Sequence, residues 1–241
     1  MIGIHLADLH TGLIYKGIPF TPKIMKCVQQ VVDECEKESS RLAYVVIHGD
    51  VVHLADTSPD SIMYAVKIFR LFDALGCPVF IIQGNHDLKT RQVGEHKLFD
   101  VFKEMNFNQV MFIDEPTFLE LDQEGEIKHN LMLLPYAIYD DEEAIAKMQH
   151  LIDKSNSIIV CTHHDLPEEF AEYQQGSELE MKFGKVKRIP ESLLNSDKVT
   201  KIINGHIHKP QSLGKIEIIG SIESFRFGEG NERFFLKVDL A

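Results

Sequence analysis

The chain has 241 residues, 44% of them hydrophobic and 26% charged, with 15 Gly, 9 Pro and no Trp, a composition that excludes intrinsic disorder, collagen and coiled coil. With 25 Lys+Arg against 37 Asp+Glu the net charge is −12, so the average field repels phosphate backbones and anionic lipid, and any anionic substrate must be attracted locally by metal or a basic patch. No apolar run reaches the roughly 20 residues that span a bilayer and no leader-like start is present. The four cysteines, Cys27, Cys35, Cys77 and Cys161, are irregularly spaced without a C-x-x-C pair. These features predict a soluble cytoplasmic protein with no membrane association, and one domain over 1–241.

Short β-branched runs alternate with segments of helical period, the rhythm of an α/β protein. A strand is predicted at 2–7. Ile24, Cys27, Val28, Val31, Val32 and Cys35 then recur at three- and four-residue intervals behind Thr21-Pro22, a cap followed by Pro at the first helical position, which predicts an amphipathic helix laid on a sheet. Cys27 and Cys35 share that helix about 12 Å apart and cannot bridge. A strand at 43–47, a helix at 59–75, a strand at 78–82 and a helix at 95–105 follow. Short strands are expected at 109–113, 117–121 and 130–134 with a hairpin-like turn at 122–125, then a helix at 141–153 and a strand at 157–161. The polar segment 165–190 reads as a long functional loop, and strands at 200–204, 215–219 and 231–239 finish the chain.

Five stretches place metal-binding side chains just after predicted strands: Asp8-Leu9-His10, Gly49-Asp50, Gly84-Asn85-His86-Asp87, His163-His164 and Gly205-His206-Ile207-His208. Strand carboxyl ends are where α/β sheets gather ligands. In D-x-H and H-x-H an extended backbone points residues i and i+2 the same way, so each pair can address one site. Nine of the 12 His lie in or beside these stretches, namely His5, His10, His48, His53, His86, His163, His164, His206 and His208. Imidazole, carboxylate and amide donors without thiolate suit manganese, iron or zinc in a reactive centre, and they are too many for one ion.

The ordered set D-x-H, G-D, G-N-H-D, a lone His and G-H-x-H resembles the calcineurin-like metallophosphoesterases from residue 8 to 208. Gly49-Asp50-Val51-Val52-His53 and the tail Gly220-Ser221-Ile222-Glu223-Ser224-Phe225-Arg226-Phe227-Gly228-Glu229 resemble in particular the SbcD-type nuclease subunits of double-strand-break repair. Ser224 stands where that branch usually has Arg, and Arg226 where Asp is common. The resemblance also departs in length, because such subunits usually continue into a capping domain and an ATPase-binding segment.

The resemblance implies a four-layer αββα sandwich with a two-metal site at the strand carboxyl ends. It implies one ion on Asp8, His10, Asp50 and His208 and a second on Asp50, Asn85, His163 and His206, with Asp50 bridging and manganese the expected metal. His163 rather than His164 is the implied ligand. His86 is the implied donor to the leaving oxygen or the transition state, and His53 the implied contact that orients the scissile phosphate. Asp87 reads as a turn-capping carboxylate, His48 as a satisfied buried histidine, and the basic run 182–188 as either a solvated face or a track for a DNA backbone. The implied function is a metal-dependent DNA nuclease, exonuclease on double-stranded ends and endonuclease on single strands, working with an SbcC-like ATPase. A homodimer, common in the family, is left open by the sequence. Two other readings stand beside it: a small-molecule phosphodiesterase or phosphatase of the same superfamily, and a phosphoesterase fold reused for protein binding.

Overall fold

The computed structural model describes residues 1–54, 58–88, 97–121, 129–136, 142–155, 157–174, 187–225 and 235–240. The opening run forms β1 (Ile2–Ala7), followed by a two-strand hairpin, β2 (Ile14–Tyr15) and β3 (Ile18–Pro19), too short for sequence periodicity to signal. Helix α1 (Thr21–Lys37) buries Ile24, Val28, Val31, Val32 and Cys35. Thr21 is not its cap: the helix is entered from Phe20 without a side-chain cap. The Thr21 hydroxyl instead accepts from the Gly12 N–H at 3.2 Å, tying the helix start to the β1 loop.

Then come β4 (Leu42–His48), α2 (Pro59–Asp73), β5 (Val79–Ile82), α3 (Leu98–Lys103) and β6 (Val110–Ile113). Ser58 caps α2 by accepting from the Ser61 N–H at 3.2 Å, an interaction worth about 1 kcal/mol. Helix α3 is shorter than the predicted 95–105, whose first two residues lie outside the described set. The second half comprises β7 (Thr117–Leu121), β8 (His129–Leu134), α4 (Glu142–Lys154), β9 (Ile158–Thr162), α5 (Glu191–Asn195), β10 (Val199–Asn204), β11 (Gln211–Leu213), β12 (Ile216–Ile218) and β13 (Leu236–Asp239). The predicted turn at 122–125 and most of the loop 165–190 lie outside the described residues. The ends of that loop form a 3-10 turn at Glu168–Gln174 and the bridge Asp165–Arg188.

The strands form two sheets, β13-β1-β4-β5-β6 and β11-β12-β10-β9-β8-β7. Neighbours are parallel in each, except β13, β7 and β11, which run antiparallel at or beside the edges. Strand alternation sorts the side chains of β4. Val45 and Ile47 join a core with α1, α2 and α3, while Tyr44 and Val46 join Leu131, Leu133, Ile159 and Ile203 between the sheets. A third core packs Met148 and Ile152 of α4 and Leu193 of α5 on the far face of the second sheet. Three apolar layers between four layers of structure make an αββα sandwich, as the resemblance implied. Because β1, β4 and β5 are parallel, and β9 and β10 likewise, their carboxyl ends gather at one end of the sandwich.

Candidate metal centre

The loops leaving those five strands bring all seven candidate ligands together. Asp8, His10 and His208 form one group of converging donor atoms and Asp50, His163 and His206 a second, all buried. Asp50 joins the two, since its Oδ2 lies 3.8 Å from His10 Nε2 and 3.2 Å from His163 Nε2. Asn85 Oδ1 enters the second group at 2.9 Å from His163 Nε2 and 3.0 Å from His206 Nδ1. His10 Nε2 and His208 Nε2 stand 3.2 Å apart in the first.

The backbone is bent to achieve this. Asp8 (φ 54°), His10 (φ 44°), Asp50 (φ 51°) and His206 (φ 70°) all lie in the left-handed region, which is uncommon for residues with a Cβ and clusters at functional sites. Two glycines are demanded by close approach. A Cβ on Gly84 would come 2.2 Å from Asp50 Oδ1, and one on Gly49, itself at φ +73°, would come 2.4 Å from His163 Nδ1.

The donor set fits cations by its own electrostatics. Both carboxylate oxygens of Asp8 are buried without a hydrogen bond, and His208 Nε2 is 4.0 Å away. Burial pushes the Asp8 carboxyl up, against the pull of His163 and His208, so the ionised form lacks a counter-charge that a metal supplies. His206 donates its Nε2–H to Asp165 Oδ1 at 3.3 Å, which turns its Nδ1 toward the Asn85 carbonyl oxygen 3.0 Å away. His163 donates from Nδ1 to the His48 carbonyl at 2.7 Å, aiming Nε2 inward. Burial disfavours its charged form, but the Asp50 carboxylate overcomes this and lifts it to about 9. Asp50 itself is held well below the usual carboxylate range: burial opposes this, and His163 and His86 outweigh it.

His86 and His53 stand beside the first group. Their rings stack at 5.4 Å, and His10 packs edge-on against both, at 4.8 Å from His86 and 5.5 Å from His53. His86 donates its Nδ1–H to the His53 carbonyl at 2.5 Å and its backbone N–H to Asp50 Oδ1 at 2.9 Å. Asp87 accepts from the N–H groups of Val51, Val52 and Gly84 at 3.0, 3.2 and 2.9 Å, clamping the loops after β4 and β5 together. His164 turns the other way, stacking on Tyr136 at 5.6 Å and bonding the Thr162 hydroxyl.

Two residues that sequence reasoning missed shape the site. Asp165 fixes the tautomer of His206, and its other oxygen accepts from the Lys187 N–H at 3.2 Å, fastening the far end of the loop 165–190. The only sequence hint was its place directly after His163-His164. Phe225, in the tail singled out above, packs edge-on against His10 at 5.3 Å and His208 at 5.5 Å. The tail reaches it because the Ser221 N–H bonds the His208 carbonyl and the Ile222 N–H the Ala7 carbonyl, each at 3.1 Å. Arg226 and the rest of the tail to Glu229 lie outside the described residues, as does the basic run at 182–186. Arg188, at the end of that run, pairs with Glu168 at 2.5 Å.

Among proteins of known role, the DNA double-strand break repair protein Mre11 of Archaeoglobus fulgidus is 32% identical over 96 residues, which is 40% of this chain and 21% of that protein. The chain thus matches about a fifth of that relative's length. A dimetal phosphatase from Danio rerio superposes with a TM-score of 0.56 at 12% identity, over 92% of this chain and 87% of that one. No helix among the described residues is long and apolar enough to cross a membrane. The calcineurin-like phosphoesterase family model matches residues 4–210, and with the buried His and Asp groups converging at the sheet ends, the chain belongs to the calcineurin-like phosphoesterases, metal-dependent hydrolases of phosphate esters.

Proposed function

We propose that this phosphoesterase is a DNA nuclease, cutting double-stranded ends as an exonuclease and single strands as an endonuclease, and working with an SbcC-like ATPase. The observation that carries the reading is His53. It is half-buried, stacked on His86 and against His10, and ends the Gly49–His53 stretch that resembles the SbcD-type subunits. The partial similarity to Mre11 points the same way. A guide for a polymeric phosphate beside the metal ligands is of use to an enzyme whose substrate cannot reorient freely.

In this reading Asp8, His10, Asp50 and His208 hold one divalent ion, and Asp50, Asn85, His163 and His206 the other, manganese being the expected metal. Such ions supply the positive charge and the acidified water that phosphodiester hydrolysis needs, and they offset the −12 of the chain. His86, held by its Nδ1–H on the His53 carbonyl, presents Nε2 to protonate the leaving oxygen. His53 contacts the scissile phosphate and turns it in line.

The deciding experiment is manganese-dependent digestion of labelled linear and circular DNA beside hydrolysis of bis-p-nitrophenyl phosphate, with and without an SbcC-like ATPase. Digestion of linear duplex from its ends is expected. Hydrolysis of the small diester with DNA left intact would overturn the nuclease reading. It would favour a small-molecule phosphodiesterase, the second reading, which the acidic surface supports because it resists a polyanion.

A further inference from the structure

Beneath the metal-binding loops, inside the apolar layer between the sheets, lies a second set of donor atoms that the hydrolytic site does not use. His5 of β1, His48 of β4 and Cys161 of β9 are each fully buried, and their ligand atoms converge within 4.8 Å of one another. His5 Nδ1 is 2.9 Å from His48 Nε2 and 4.0 Å from Cys161 Sγ. We propose that this His-His-Cys cluster is a structural site for one soft d10 cation, zinc or copper(I), that staples the two sheets together below the hydrolytic centre.

The outer atoms of both rings are arranged for this. His48 donates its Nδ1–H to the Thr162 carbonyl at 3.2 Å, leaving Nε2 as a lone pair aimed at the cluster. On the far side of His5, the Tyr44 hydroxyl stands 3.4 Å from Nε2, so it can accept that N–H and leave the Nδ1 lone pair facing inward. Tyr44 is seated by Gly3, where a Cβ would come 2.4 Å from the phenol ring. Orientation of metal-bound imidazoles by hydrogen bonds from the opposite nitrogen is the usual outer-shell pattern. Metal–nitrogen bonds near 2.0 Å and a metal–sulfur bond near 2.3 Å place tetrahedral ligand atoms roughly 3.3–3.5 Å apart, so an ion would spread the two nitrogens from 2.9 Å and draw the sulfur in from 4.0 Å, each by about half an ångström. A thiolate beside two imidazoles selects soft ions, whereas the carboxylate-rich centre above suits harder ones.

The position gives the ion a purpose. His48 immediately precedes Gly49-Asp50, and Cys161 lies two residues before His163, so a cation here would fix across the sheets the two strand ends that carry Asp50 and His163. The alternative occupant is a proton, with Tyr44, His5, His48 and the Thr162 carbonyl forming a plain hydrogen-bonded chain.

Cobalt(II) separates the two, because a thiolate ligand produces a near-ultraviolet charge-transfer band that the thiol-free hydrolytic centre cannot give. The full chain produced in cobalt-supplemented medium is expected to show the band and to lose it in Cys161→Ser, with metal content falling by about one ion per chain. Folding of that variant is checked by circular dichroism. A triple variant Cys27→Ser, Cys35→Ser, Cys77→Ser, in which Cys161 is the sole thiol, should keep the band, so the proposal stays testable even if Cys161→Ser fails to fold. Elemental analysis of protein from unsupplemented medium distinguishes zinc from copper, either of which supports the site if it disappears with Cys161. Absence of the band from wild type and the triple variant, with metal content unchanged in Cys161→Ser, would overturn the proposal and leave the hydrogen-bonded chain.

Discussion

The two halves of the metal centre reach the same end by opposite routes. In the second group every donor has a partner within the chain: Asp50 faces His163, Asn85 faces His163 and His206, and Asp165 holds His206. In the first group His10 and His208 are hydrogen-bonded to each other through their Nε2 atoms, but Asp8 receives no hydrogen bond at either oxygen. One group is assembled by hydrogen bonds before a cation arrives, while the other keeps an uncompensated carboxylate that only a cation relieves. Preorganisation lowers the ordering cost of binding, whereas stored desolvation adds to the driving force once the ion is present.

The largest expected effect comes from removing what the halves share. Asp50→Ala should abolish phosphodiester hydrolysis and empty both groups, measured as manganese per chain by elemental analysis. Two ions retained would show that Asp50 does not bridge. A change outside both halves provides the control: His86→Ala should keep both ions yet lower turnover on DNA by about 100-fold, the scale of a lost proton donor. Wild-type turnover in that variant would move the proton to another group.

The second half is broken selectively through Asp165. Asp165→Asn removes the charge that fixes His206, and should weaken one of two manganese ions by about tenfold or more, read by calorimetric titration, while leaving the other unchanged. Equal weakening of both would mean that the halves are not independent. The same half titrates with pH. His163, lifted to about 9 from an ordinary 6.5, carries a proton at neutral pH in the metal-free chain and must release it to bind. Affinity for that ion should therefore rise by about tenfold per pH unit up to about pH 9 for one released proton. The sign for folding is the reverse: the metal-free chain gains stability from this protonation fully below about pH 6.5 and loses it as pH rises through 9. Pulse proteolysis of the metal-free chain across that window measures it.

Much of this was legible in the sequence because the signals were local. The periodicity of Ile24, Val28, Val31, Val32 and Cys35 follows from which face of α1 meets the sheet, and D-x-H and H-x-H carry their spacing on their face. Gly84 and Gly49 were legible as glycines but not as the points where a Cβ would strike Asp50 or His163, because those contacts join residues over 30 apart in sequence. The misreading of Thr21 has the same root. A cap side chain looks identical whether it accepts from its own helix or from Gly12, and only the fold chooses. Asp165 acts on His206 from the loop after the neighbouring strand, and Phe225 on His10 and His208 from the tail, long-range contacts where no spacing rule reaches.

The smallest effect separates the halves most cleanly, since it has opposite signs in the two. In the metal-free chain burial drives the Asp8 carboxyl upward while Asp50, surrounded by His163 and His86, is held well below the usual carboxylate range. Burial of the Asp8 carboxyl thus opposes folding, and the ionised Asp50 supports it. Asp8→Asn removes the buried charge and keeps the shape, so thermal denaturation of the metal-free variant should occur at a higher temperature than wild type. Asp50→Asn leaves His163 and His10 without their counter-charge and should denature at a lower one. Adding manganese should invert the first result, because wild type gains a carboxylate–cation attraction that a neutral amide in place of Asp8 cannot supply, and linkage to bound ion then stabilises the native chain more than the variant. If Asp8→Asn lowered the denaturation temperature without metal, the carboxylate would already be satisfied within the fold, and the contrast between an uncompensated carboxylate and a preassembled cradle would fail.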